Sequence, residues 1–218
     1  MKALDDGHRR SIRAAYDAVA RVYAEAIYDE LRGKPFDRKL LDRFAERVRS
    51  RGPVCDLGCG PAQVARYLRD QGVNAFGLDL SAGMLAEARR LNPDLGFALG
   101  SMFALGLKSE ALAGIAGFYS IIHVPRDRVL AVFSELWRVL QPGGLLLLAF
   151  HLGSGVMHHD ELLGKPVSLD ATLFASDELA GYLRAANLRV EEALERDPYP
   201  PDVEYQSRRG YVLAVKPD

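Results

Sequence analysis

Apolar residues recur at Ile12, Tyr16, Val19, Tyr23, Ile27 and Leu31, three or four positions apart, the spacing that lines one side of a helix. Gly33-Lys34-Pro35 marks its end, since proline cannot continue a helix that precedes it. A second helix is predicted from Pro35, with Phe36, Leu40, Phe44 and Val48 as its stripe and Gly52-Pro53 as its stop. Beyond it the pattern changes. Short apolar runs at Val54 to Leu57, Ala75 to Leu80, Leu95 to Leu99, Ile115 to Ile122 and Leu145 to Phe150 suit strands buried on both faces. Helical patterns separate most of them: one from Pro61, one from the N-cap type Ser81 to Asn92-Pro93, and one from Pro125 to Gln141-Pro142-Gly143-Gly144.

Strands alternating with helices imply parallel strands joined by right-handed crossovers, a doubly wound α/β fold. The last third departs from that rhythm. Residues 151–175 read as a long connection rich in Gly and His, and Ser176-Asp177-Glu178 opens another helix. Two terminal strands, about Leu188 to Leu194 and Gly210 to Val215, flank a Pro- and Tyr-rich segment too long for a tight hairpin. The expected sheet is therefore mostly parallel and seven-stranded, with helices on both faces and two helices ahead of the first strand.

With 28 basic and 29 acidic residues among 218, the net charge of −1 gives no general affinity for a polyanion. The longest apolar run, Leu145 to Phe150, is far short of the ~20 residues that span a bilayer, so no membrane insertion is expected. Acidic Asp5-Asp6 stands where a signal peptide would begin its apolar core, which points to a cytoplasmic protein. Cys55 and Cys59 are too few for a disulfide framework or an all-cysteine zinc site.

Val54-Cys55-Asp56-Leu57-Gly58-Cys59-Gly60-Pro61 places two glycines between the first strand and its helix, where a backbone without Cβ atoms admits a ligand closely. Asp79 ends the second strand, 21 residues after Gly58, where a carboxylate can accept both ribose hydroxyls. Gln63 replaces the third glycine that brings a helix end against a pyrophosphate. The turn thus suits a nucleoside lacking phosphates, such as S-adenosylmethionine, with Asp56 supplying negative charge for an ammonium group.

The chain resembles the class I S-adenosylmethionine-dependent methyltransferases over roughly residues 12–216. The resemblance rests on the glycine turn, on Gly77-Leu78-Asp79-Leu80-Ser81 with Met84-Leu85 and Ala88, and on Leu136 through Gly144. It implies S-adenosylmethionine as cofactor, with Gly58 and Gly60 under its methionine part, Asp79 at the ribose, and Leu80 and Met84 near the adenine. Tyr16 through Tyr23 resembles the family's amino-terminal lid. Where relatives often carry an acid for the adenine, this chain has Ser101 and Met102; these, with Tyr119, complete the expected cofactor contacts. One domain is expected over residues 1–218: lid helices in 1–50, a cofactor core in 53–150, and substrate-side segments with the terminal strands in 151–218.

Methyl transfer from a sulfonium needs alignment above all, and a base helps when the acceptor must lose a proton. His123 and His151, at the ends of neighbouring strands, are the catalytic candidates; Tyr199, Tyr205 and Arg208 are the substrate candidates. His158-His159-Asp160-Glu161 has ligand-type residues, but four consecutive side chains cannot converge on one ion, and no metal is expected. Tyr119-Ser120-Ile121-Ile122 is not the Asn/Asp-Pro-Pro-aromatic motif of enzymes that methylate base amines, so no nucleic-acid partner is expected. The resulting expectation is O- or N-methylation of a small molecule by a monomer or homodimer. Carbon methylation of a quinone-like or lipid acceptor is the alternative within the family. A nicotinamide-dependent oxidoreductase is disfavoured by Gln63 and by the Gln141-Pro142-Gly143-Gly144 turn.

Overall fold

The computed structural model describes residues 6–218. In chain order the elements are α1 (Asp6–Ile27), α2 (Pro35–Val48), β1 (Val54–Leu57), α3 (Gln63–Asp70), β2 (Ala75–Asp79), α4 (Ala82–Leu91), β3 (Gly96–Leu99), β4 (Leu112–Phe118), α5 (Val129–Val139), β5 (Leu140–His151), β6 (Val156–Leu162), β7 (Lys165–Thr172), α6 (Ser176–Ala185), β8 (Arg189–Arg196) and β9 (Arg209–Val215). Seven strands form one sheet in the order β3-β2-β1-β4-β5-β9-β8, parallel except for β9, which runs antiparallel to both neighbours. The chain winds outward from β1 to β3 and then returns to β4 on the other side of β1. That reversal opens a crevice at the carboxyl ends of β1 and β4.

Side chains alternate across a strand, and β5 shows what this does for the core. Leu146, Leu148 and Phe150 meet Phe133 and Leu136 of α5 and Leu179 of α6, whereas Leu145, Leu147 and Ala149 join Phe44 and Val48 of α2 and Leu68 of α3. Both faces are thus dry, which explains the unbroken apolar runs. Gly114 of β4 is required by this packing, because a Cβ there would lie 2.7 Å from the Phe44 ring.

Four features differ from the sequence reading. Helix α1 ends at Ile27, ahead of a short 3-10 turn at Glu30–Gly33 that carries Leu31. The apolar run around Ile115 is a strand only through Phe118, and Ile121–His123 forms a 3-10 turn. Strand β5 begins at Leu140, which pairs with Leu112 across a register shift. Residues 151–175 hold a hairpin, β6 against β7, closed by Leu163 and Gly164, both with positive φ. A two-residue turn of that hand matches strand twist, but Leu-Gly lacks the Asn-Gly or Asp-Gly signature, and β6 is polar on most positions.

Candidate active site

A cleft lies at the switch point, floored by Gly58, Gly60, Leu78 and Asp79 and roofed by α1. Its floor requires glycine. Gly58 has φ +67°, and a Cβ on it would fall 2.4 Å from Ser120 Cβ; Gly60 has φ +53° under Tyr23. Asp79 accepts from Gly60 N and Ser81 N, both at 2.8 Å, so one carboxylate fixes both the turn and the residue that caps α4. Burial raises the pKa of Asp79, and those N–H groups act against it.

The roof is fastened to the floor by a carboxylate from α1. Asp17 Oδ1 accepts from Ser81 Oγ at 2.5 Å and from Gly83 N at 2.8 Å, and Ser81 Oγ in turn accepts from Met84 N. Asp17 therefore occupies the positive amino end of α4. Burial opposes its charge, but Ser81, Gly83 and Arg13 outweigh burial and hold its pKa below the usual range. Gly83 permits the approach, since a Cβ there would sit 3.1 Å from the Asp17 backbone.

At the other end of the cleft Tyr16 Oη lies 2.7 Å from Nε2 of His123. Nδ1 of the same ring lies 3.0 Å from the carbonyl of Asp170 in β7. A carbonyl can only accept, so Nδ1 carries the proton and Nε2 accepts from the phenol. Burial pushes the His123 pKa down to about 4, with the Asp170 carbonyl pulling the other way. His8 Nε2 also donates to the His123 carbonyl at 3.0 Å, tying the start of α1 to this turn.

Eleven of the sequence candidates line the cleft: Tyr16, Tyr23, Gly58, Gly60, Asp79, Leu80, Met84, Ser101, Met102, Tyr119 and His123. Five do not. Asp56 is buried in β1 and accepts from Ala65 N of α3; burial raises its pKa to about 7, so it supports the helix and offers nothing to an ammonium group. His151 stands behind Tyr119, ring centroids 5.1 Å apart, with Nδ1 receiving Arg209 Nη1 at 2.8 Å. Burial, reinforced by Arg209 and Lys34, lowers its pKa to about 3. Tyr199 Oη accepts from Phe36 N, and Arg208 pairs with Glu195 and Asp197 on the surface. Tyr205 is exposed, its hydroxyl on Met157. Their loop is held by a buried ion cluster, in which Arg196 pairs with Asp37 and Glu204 and Glu204 pairs with Lys34. The ligand-type run from His158 lies along β6, where neighbours point to opposite faces; His158 pairs with Asp170 and Asp160.

The sequence reading missed His8, Arg9, Ile12, Arg13, Phe103 and Ser120, which also line the cleft. Arg9 and Arg13 lie four apart and seven and three ahead of Tyr16, a spacing that could have placed them on the same stripe.

Residues 54–144 match a family model described as a methyltransferase domain. The chain is 33% identical over 138 residues to a malonyl-[acyl-carrier protein] O-methyltransferase of Enterobacter lignolyticus, covering 63% of this chain and 52% of that one. It is 31% identical over 147 residues to a demethylmenaquinone methyltransferase of Beutenbergia cavernae (66% and 59% covered). It is 26% identical over 163 residues to a tRNA 5-carboxymethoxyuridine methyltransferase of Escherichia coli (68% and 60% covered). The chain thus spans 52–60% of the length of these relatives. Among solved structures, the DhpI complex with S-adenosylhomocysteine shares the fold at a TM-score of 0.75 and 20% identity, covering 98% of this chain and 99% of that one. The chain belongs to the class I S-adenosylmethionine-dependent methyltransferases. Its cofactor is S-adenosylmethionine. The cleft fits that group: the glycine floor leaves a cradle that Cβ atoms would fill, and buried Ser120 Oγ on its wall has no hydrogen-bond partner among the described residues.

Proposed function

We propose that this protein transfers the methyl group of S-adenosylmethionine to an oxygen or nitrogen of a small molecule. The observation that carries the reading is the Tyr16–His123 pair, which lies in the same cleft as Asp79 and the glycine floor. When bound, the cofactor would supply a methyl carbon open to in-line attack by the acceptor's lone pair, the sulfur leaving with the electrons of the broken bond. Asp79 would hold the ribose, Gly58 and Gly60 the methionine part, and Leu80, Met84, Ser101 and Met102 the adenine. Tyr16 donates its own proton to Nε2, so its oxygen lone pairs face the cleft and can accept the acceptor's O–H or N–H. As that proton leaves, Tyr16 passes its own to His123, which the Asp170 carbonyl keeps in the accepting tautomer. A carbon acceptor that reacts through an enolate would make less use of this pair.

A cleft lined by glycines, apolar side chains and a few polar groups under a helical roof suits a cofactor and a small acceptor, and the net charge of −1 supports a partner other than nucleic acid. No helix among the described residues is long and apolar enough to cross a membrane. A cytoplasmic setting belongs to the same reading and is supported by two free, buried cysteines. Incubation with methyl-labelled cofactor and a panel of phenols, amines and quinones tests the assignment. Label on oxygen or nitrogen, lost in Tyr16→Phe, is the expected result; label confined to carbon would overturn it.

A further inference from the structure

The charges around the cleft bear on what the acceptor is. Among the described residues the carboxylate that lines it is Asp79, and that group is engaged by Gly60 and Ser81 on the cofactor side. Arg9 and Arg13 line it from α1, with His8 beside them. Positions 9, 13 and 16 fall on one stripe of the helix. At 1.5 Å per residue, the two guanidinium groups originate about 10 Å and 5 Å along the axis from Tyr16. Among the described residues Arg13 pairs with Asp17 at 3.4 Å, the arginine half exposed and the aspartate about a third, and a contact of that kind contributes little. Asp17 retains Ser81 and Gly83 without it. The methyl donor adds a further positive charge at sulfur. An acidic acceptor would gain from guanidinium groups and a sulfonium on the same cleft, whereas a neutral one would not. Ile12, Phe103 and Val124 on the same lining offer apolar surface for the rest of the molecule.

We propose that the methyl acceptor is a small molecule bearing an acidic group, a carboxylate or a phosphate, which Arg9 and Arg13 hold while its hydroxyl or amine meets Tyr16. This rests on the methyl-transfer reading above. Guanidinium groups suit either acid because both present paired oxygens to the planar fork. The acid and the reacting atom should be separated by roughly 5–10 Å, as in a hydroxylated aromatic acid, from the helical rise just given.

The test uses the protein saturated with S-adenosylhomocysteine, whose dissociation constant is measured first for every variant. Three matched probes, 4-hydroxybenzoate, 4-hydroxyphenyl phosphate and 4-hydroxybenzamide, are then titrated and followed by ligand-observed NMR. At least one acid should bind tenfold or more tightly than the neutral amide, and the better of the two identifies the acid class. The R9Q/R13Q double variant should erase the preference while binding the demethylated cofactor as before. R21Q, which removes an exposed cation of α1 paired with Glu25, should keep it. Equal binding of amide and acids, no acid binding below about 10 mM, or a preference that survives R9Q/R13Q would overturn the proposal. So would competition by bulk tRNA at micromolar levels in the absence of acid binding, which would assign the arginines to a polynucleotide. Failure of the unaltered protein to bind S-adenosylhomocysteine would instead remove the methyl-transfer reading on which this rests.

Discussion

Replacing Gly58 by alanine tests the floor of the cleft most directly. Two costs add. The backbone there has φ +67°, where an L-residue with a Cβ is disfavoured by about 1–2 kcal/mol. The new methyl would also lie 2.4 Å from Ser120 Cβ, an overlap that the wall can relieve only by moving, at about 1–3 kcal/mol for an overpacked site. Together they predict a loss of about 3 kcal/mol, or roughly 6–12 °C in Tm for a chain of this size. The two costs separate in a double-mutant cycle. Ser120→Gly removes the atoms that the methyl strikes but leaves the dihedral cost, so G58A/S120G should recover about 1–2 kcal/mol relative to additivity. Thermal unfolding of the four proteins gives the coupling, and titration with S-adenosylhomocysteine should show G58A binding about tenfold more weakly. Additive effects, with coupling within about 0.3 kcal/mol of zero, would refute the claim that the turn is glycine because Ser120 faces it.

Three further outcomes are expected. Asp79→Ala should weaken S-adenosylhomocysteine binding by about a hundredfold in calorimetry, since charge-assisted hydrogen bonds to a ribose are worth roughly 1.5–3 kcal/mol; an unchanged affinity would reassign the carboxylate to the turn alone. Tyr16→Phe should lower kcat by about 10²–10³ with the cofactor affinity retained. In the unaltered enzyme the acid limb of the rate profile should fall near pH 4, because His123 accepts a proton only above its depressed pKa of about 4; a limb at pH 6–7 would show a different base. Glu204→Gln should cost about 3 kcal/mol, because it removes the buried carboxylate shared by Arg196 and Lys34 and leaves Arg196 with Asp37 alone and Lys34 with Glu30 alone. Burial opposes the charge of Glu204, but Arg196, Tyr199 N and Arg209 hold its pKa down at about 2, below the ordinary 4.5. Its contribution is therefore present above pH 4.5 and lost as pH falls toward 2, and chemical denaturation across that window measures it.

The sheet and the floor of the cleft were legible because each rests on a local rule. Runs buried on both faces gave the strands, and spacing within one βαβ unit brings Gly58, Gly60 and Asp79 to the floor of one cleft. Asp56 shows where such reasoning stops. It too sits near the end of a strand, but Asp56 is directed toward α3 whereas Asp79 closes β2 at the cleft, and only the orientation of each side chain separates a ligand-facing carboxylate from a helix support. Tyr199, Tyr205 and Arg208 are close to the site in sequence logic, yet the ion cluster around Glu204 draws their loop against α2 and the surface. The hairpin β6–β7 escaped because its strands are largely polar and its turn uses Leu163-Gly164. With it was lost the partner of His123, which lies 47 residues away.

That partner is a main-chain oxygen. Every amino acid supplies the same carbonyl, so sequence drift at position 170 can alter what the hairpin shows to solvent without reaching the imidazole. Which ring nitrogen bears hydrogen is inherited from the path of the ribbon, and a survey of residue identities alone would overlook it.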